Sequence, residues 1–488
     1  MTKSFTFRIY IIALVLRLIP VFLASGLGIG LDDMFQYDML ARSLASGHGF
    51  RWYAQADLEK IAPYVDFDLT SVKDYDPTLG IRTSFRAPLY PAFLAIVYFL
   101  TGSSASRFFA ARLAQAIFLG APLAPLTYLV AQRLFGLKEL ASEPTTASRL
   151  TPKVAAWVVA AYPMLLVYPL GLGTENPFFV LLLASVFFLL SSIEHPATFH
   201  FLLSGIFLAL TALTRSVILP FAAAAFCLLL FLHGKRTLLA ILSFALVVTP
   251  WMVRNSLLHH KPTGIETSMG YNLYLGYHPQ GNGSFVFGPS LDLLSILDDA
   301  ERDKVGTQKA LEFIKAQPQR FIPLAVNRLG FFFGLEKRVL MYFYSNNLIG
   351  FIPLPILLTI SAILLLPFVF ISTSAALGLS LLRWKPEHIL LLLLFICYIA
   401  PHIFILAEDR FHLALVPYFA ILAAQMWTGG FRQITSRWHE SQMGKVIVVL
   451  CIFAAILLVT NWGIELVRDA DKIAQLLGPN GNKSYFPY

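Results

Sequence analysis

The chain has 488 residues, 57% of them hydrophobic and 13% charged, with a mean hydropathy of +0.68. Soluble domains carry about twice that charge, so a soluble enzyme is excluded. Nor does the formal charge of +9 point to nucleic acid: the basic residues are scattered over loops and form no single stripe, and cytoplasmic Lys/Arg in a membrane protein explains much of the excess.

Residues 1–8 and the apolar run 9–27 have the look of a signal peptide, but no small-residue cleavage site precedes the polar loop. The run is read as a retained first helix, cytoplasmic at its N-terminus. A stretch built on Asp32 and Asp33 follows, with Tyr37, Leu40, Ala41 and Leu44 at helical spacing until Gly47, His48 and Gly49 break it. Two carboxylates at a membrane surface could take a proton from an acceptor hydroxyl. Aspartate at a helix start also caps orphan N–H groups and favours the dipole, so either residue could serve that end alone. The polar loop continues to about residue 87, and its stretch 54–82 carries Asp57, Glu59, Asp66, Asp68, Asp74 and Asp76. Asp66-Phe67-Asp68 invites a metal reading, but no His or Gly scaffold surrounds it and solvated acidic loops are common. No cofactor or metal ligand set is assigned, and a divalent cation at the acidic motif is left open.

Apolar runs then fall at 108–134, 154–172, 178–190, 201–213, 217–232 and 237–253. A second polar segment, 254–320, contains an amphipathic helix over 298–315, and further runs fall at 348–370, 389–407, 411–427 and 446–462. The basic short loops 133–153, 233–236, 383–385 and 432–445 belong in the cytoplasm by the positive-inside rule. That parity leaves 88–100 and 321–333 as re-entrant or interfacial helices, allowed where buried or lining a cavity. The expectation is an all-α polytopic protein of about eleven crossings (thirteen if both segments cross), with two large extracytoplasmic loops, 28–87 and 254–320. The three cysteines, Cys227, Cys397 and Cys451, lie inside apolar runs and read as buried small hydrophobes. No internal repeat is evident.

Ionisable residues near apolar runs are costly and call for a reason. Asp32, Asp33, Arg86, Glu175, Arg215, Arg254 with Asn255, and Glu408, Asp409 and Arg410 all fall on the outer side. Each could be an anchor or an inter-helix salt bridge, but six segments meeting on one face favour a site. Arginine presents a rigid fork matched to phosphate oxygens, and a neighbouring carboxylate can act as general base. A lipid phosphate leaving group needs only electrostatic stabilisation. One base without a nucleophile implies a single displacement with inversion.

Several short motifs carry a family resemblance by their order and spacing. They are the acidic pair with Tyr37 and Ala41, Gly47-His48-Gly49-Phe50, Arg86-Ala87-Pro88-Leu89-Tyr90-Pro91, Ala111-Arg112-Leu113 and Arg133-Leu134-Phe135-Gly136. Leu213-Thr214-Arg215, Pro250-Trp251 with Arg254-Asn255, and Arg410-Phe411-His412 before Pro417 complete the set. The chain, from its first helix to about residue 425, resembles the GT-C membrane glycosyltransferases of the family 39 group, which includes protein O-mannosyltransferases and the lipid A aminoarabinose transferase. The resemblance implies a GT-C helical core over 1–430, a final helix and extracytoplasmic tail over 431–488, and a polyprenyl-phosphate sugar donor in the plasma (inner) membrane. The acceptor, whether lipid, glycan or protein, stays open. The family's Asp-Glu motif, with its Asp four residues before the Tyr, maps onto Asp33 and Met34. Asp33 becomes the candidate base and Asp32 its neighbour or substitute, while Met34 departs from the pattern. The resemblance gives Arg86 to the donor phosphate, makes Glu175 an acidic residue at an outer helix end, and leaves Arg215, Arg254, Asn255 and Arg410 as further donor or sugar contacts. The alternative from another class is a transporter or flippase of a lipid-linked sugar, which would place ionisable groups near mid-membrane.

Overall fold

The computed structural model describes residues 2–67, 69, 72, 74–135, 146–345, 347 and 349–483. Asp68 of the Asp66-Phe67-Asp68 pattern and residues 136–145 of the basic loop 133–153, Gly136 among them, lie outside the described residues. The chain is an all-α polytopic membrane protein. Among the described residues the only ladder is the two-residue pair Arg51–Trp52 and Ile81–Arg82, antiparallel, with Trp52 opposite Ile81.

Among the described residues eight helices are long and apolar enough to cross a bilayer, or nine if the bent pair Arg149–Ala161 and Pro163–Leu170 is one span. The difference between nine and the expected eleven arises at two places. Thr198–Ala212 has 15 residues, short of the ~20 a span requires. The stretch Ser216–His259 meets the criteria as one unit, although Gly234, at φ +55°, interrupts it between Leu219–His233 and Leu238–His259. Leu89–Thr101 and Phe321–Phe332, with 13 and 12 residues, are likewise too short to cross at ~1.5 Å per residue.

Burial separates the spans by role. The apolar windows of Glu175–Glu194 and Phe411–Glu440 are 78% and 83% buried, whereas that of Gln442–Arg468 is 17% buried. The first two form the centre, and the last presents most of its surface outward. Both central helices begin at one end of the bundle, where the two large loops also meet. At the opposite end the basic turns are tied by Arg133–Glu194 at 2.5 Å and Arg383–Glu440 at 2.5 Å. Cys227 departs from expectation by being exposed on Leu219–His233.

Pro163 cannot donate to the carbonyl of Val159 and disfavours helical backbone at the residue before it. Tyr162 accordingly leaves the helix, at ψ 117°, and the axis bends by 53°. Arg17, fully buried in the first span, donates Nη2 to Val159 O at 3.2 Å and Nη1 to Ala160 O at 3.2 Å. A buried cation thereby serves freed backbone carbonyls, which have no water to turn to. Gly120 ends the π turn Ala116–Gly120 and makes room for it: a Cβ there would lie 2.8 Å from Arg17 Cδ.

The loop 28–87 has its own small core, in which Phe35, Leu40, Trp52, Tyr53 and Phe85 are joined by Leu297 from the second loop. Asp299 fastens the two loops, accepting from Thr83 Oγ1 at 2.5 Å and Ser84 N at 2.7 Å. It follows its own N-cap, Asp298, at the start of the helix Asp299–Ala316, within a residue of the sequence expectation.

Candidate active site

The helix Asp33–Ala45 carries the acidic pair into the site. Asp32 is its N-cap, with Oδ1 accepting from Met34 N at 2.9 Å, so the capping role belongs to Asp32. Buried Asp38 fixes the helix from behind. It takes Arg107 Nε and Nη2 at 2.8 and 3.0 Å, Arg42 Nε at 2.9 Å and the Tyr98 hydroxyl at 3.1 Å. Four donors satisfy one buried carboxylate, as burial of a charge demands. The anchored helix leaves Asp33 40% exposed and Asp32 exposed to solvent.

Five of the residues singled out from the sequence form one chain of alternating charge. Arg86 donates Nη2 to Asp33 Oδ1, and Nε and Nη2 to Gln36 Oε1 at 2.9 and 2.7 Å. The second Asp33 oxygen lies 3.6 Å from Arg410 Nη2. Arg410 Nε in turn lies 3.6 Å from Glu175 Oε1, which pairs with Arg215 Nη1 at 2.9 Å. Arg86 stacks near Tyr37 and Phe85, with its guanidinium 5.3 and 5.1 Å from their ring centres. Arg215 lies 5.0 Å from the ring of Phe411. Tight turns explain the placement: Glu175 is the first residue of one central helix, and Arg410 directly precedes the 3₁₀ turn Phe411–Leu415 that opens the other.

Two further members complete the network. Glu408, 5% exposed on its side chain, meets Arg410 Nε at 2.6 Å and Arg338 Nη1 at 3.2 Å through the same oxygen. Glu408 was visible as an outer-side charge; Arg338 was missed. Its signal was Glu336-Lys337-Arg338, three consecutive ionisable residues between apolar stretches. Arg254 and Asn255 are not brought into the network. Arg254 donates to Thr83 O at 2.6 Å and to Asn255 Oδ1 at 2.9 Å, and Asn255 donates to Gly264 O and Ile265 O at 2.9 and 3.0 Å. They bind the mouth of their helix to both loops.

Neighbouring carboxyls are driven apart electrostatically. Partial desolvation by the protein packed around it pushes the Asp32 carboxyl up although its surface is exposed, and the charge of Asp33 adds to it, against the Met34 N–H and Arg410. Burial acts on Asp33 in the same sense, but Arg86, then Arg410 and Arg215, outweigh it and hold the carboxyl below its usual range. Burial also opposes ionisation of Glu408, where Arg410 and Arg338 prevail and the shift is downward. Divergence of two adjacent carboxyls is the pattern that separates acid–base roles in active sites. Among the described residues no three His, Cys, Asp or Glu side chains converge as a metal site. Guanidiniums engage Asp33, Glu175 and Glu408, the carboxylates of the network.

No protein-family model and no curated protein matches the chain. Similar solved structures include crystal structures of ArnT from Cupriavidus metallidurans. The form bound to undecaprenyl phosphate has 12% identity, with 96% of this chain and 91% of that chain covered and a TM-score of 0.38. For the apo form the identity and coverages are the same and the TM-score is 0.35.

Proposed function

We propose that the chain is an inverting glycosyltransferase that moves a sugar from a polyprenyl-phosphate donor to an acceptor hydroxyl or phosphate. The observation that carries this reading is the network Arg86–Asp33–Arg410–Glu175–Arg215, set at the mouths of two central apolar helices. Such a place suits a molecule with a phosphate head and a hydrocarbon tail: the forked guanidiniums match the phosphate, and adjoining apolar surface takes the chain. The positive-inside rule supports reading the basic turns as cytoplasmic and this end as extracytoplasmic, and the proposal sets the site on the outer face of the plasma membrane.

In this mechanism the guanidiniums stabilise the phosphate as its bond to the anomeric carbon breaks, and a carboxylate takes the acceptor's proton. A donor phosphate that drew Arg86 away would strip Asp33 of its strongest partner and raise its basicity beside the acceptor. Asp32, already shifted upward, is the other base open to the acceptor. A transporter would use ionisable groups within the spans; Arg17 and Arg112, buried there, are committed to backbone carbonyls.

The test is sugar release from a panel of polyprenyl-phosphate sugars by purified protein in lipid nanodiscs, beside Asp33→Asn and Asp32→Asn. A fall of ~10²-fold or more in one variant, the usual worth of a general base, identifies the base. No turnover with any donor, together with movement of the lipid between leaflets, would replace the transferase by a transporter.

A further inference from the structure

Between the helix Phe321–Phe332 and the π turn Leu340–Tyr344, Glu336, Lys337 and Arg338 point three ways. Glu336, 1% exposed, accepts the Tyr162 hydroxyl at 2.5 Å and meets His412 Nε2 at 3.1 Å. His412 Nδ1 lies 2.6 Å from Phe332 O, a group that can only accept, so Nδ1 carries hydrogen. A neutral ring would then turn a lone pair on Nε2 toward a carboxylate oxygen. The contact therefore needs one proton held between His412 and Glu336, which leaves the pair neutral overall. Lys337 is held on the other side by Glu465 and Asp469 at 2.6 and 2.5 Å, and Glu465 also accepts Leu335 N at 2.9 Å.

Ties on both sides aim Arg338 at the site, where its side chain is 28% exposed and its one hydrogen bond among the described residues is to Glu408. That Glu408 oxygen is already 2.6 Å from Arg410 Nε, so two guanidiniums share one carboxylate oxygen. Asp409, half-buried beside them, makes no ion pair among the described residues, and its charge acts only at longer range. The buried carboxylate two residues away brings no net charge, because His412 balances it. Among the described residues, four of the five N–H donors of Arg338 thus make no hydrogen bond, on a support tied from both sides.

We propose that Arg338 is a ligand of the substrate phosphate, acting with Arg410 as a two-guanidinium clamp. The proposal rests on the lipid-phosphate reading above and adds a contact to it. A clamp of this kind takes phosphate oxygens from a lipid headgroup or from free phosphate, and the two sources are separable.

The experiment titrates a polyprenyl monophosphate, and separately inorganic phosphate, against the full chain in nanodiscs, comparing wild type with Arg338→Ala, Arg338→Lys and Arg338→Gln. Binding of the lipid should weaken tenfold or more in Arg338→Ala, with the variant still folded at the temperature of the titration. Arg338→Lys should recover part of the loss, since it restores the charge without the fork. Arg338→Gln takes the place of the alanine variant if the latter does not fold. A dependence on Arg338 seen with inorganic phosphate alone would support the clamp with free phosphate as its occupant. Equal affinity of wild type and the folded variants for both probes would overturn the clamp while leaving the transferase reading in place. Absence of binding of either probe to wild type would overturn the parent reading and the clamp with it.

Discussion

Asp32 and Asp33 adjoin in sequence yet face opposite fields, so replacing each by asparagine should move stability in opposite directions at pH 7. Asparagine at 33 keeps the size but removes the charge, leaving Arg86 with two neutral acceptors, Gln36 and the new amide oxygen. Breaking a buried pair costs about 3–5 kcal/mol and an exposed one under about 1 kcal/mol. Side-chain exposures of 40% for Asp33 and 19% for Arg86 place this pair between those limits. The discounted loss is about 1–2 kcal/mol. Asparagine at 32 still caps Met34 N, since Asn and Asp are equivalent caps, and it removes the repulsion from Asp33. The expected change is a gain of up to about 0.5 kcal/mol, on the scale of a surface charge optimisation.

Each effect has its own pH window. Asp33 has its folded-state value below the ordinary 3.8, so its stabilisation is present at neutral pH and lost as the pH falls through that folded value. Wild type and Asp33→Asn should then converge in strong acid. Asp32 has its folded value above 3.8, so its carboxyl begins to cost stability as the pH rises past the unfolded value, reaching the full cost above the folded one. Wild type and Asp32→Asn should converge below 3.8. Thermal unfolding in nanodiscs, followed by tryptophan fluorescence across this range, measures both. Shifts of the same sign at pH 7, or an Asp33→Asn deficit that persists undiminished in strong acid, would refute the electrostatic account.

Gly120→Ala should lower stability by about 2–3 kcal/mol, because its Cβ would meet the side chain of Arg17 and displace a cation that serves freed carbonyls. Combining it with Arg17→Met should cost less than the sum of the two single changes, and simple additivity in thermal unfolding would count against the contact. Asp299→Ala should release the second loop by leaving Ser84 N–H unsatisfied, a loss of about 1–3 kcal/mol. Faster proteolysis or hydrogen exchange within 254–298 is the readout, and unchanged protection would mean that the loops are held together by something else.

Much of the architecture was legible from the chain because a bilayer admits few solutions. Apolar length and the shortness of 88–100 and 321–333 follow from backbone hydrogen bonds that lipid cannot satisfy, and the structure keeps those segments short. Asp33, Arg86, Glu175, Arg215 and Arg410 stood out because charges at apolar borders are costly wherever they occur. What sequence could not resolve was partnership. Arg254 and Arg410 look alike beside their helices, yet one binds loop carbonyls and the other links three carboxylates. Arg338 drew no notice because its meaning depends on Glu408, some seventy residues away, and on the ties that turn Glu336 and Lys337 elsewhere. Residue order alone dictates where charge must be compensated, since desolvation is a local property of a residue and its neighbours. Which opposite charge answers it is settled by the folded chain, because ion pairing is set by distances between segments that the order of residues does not contain.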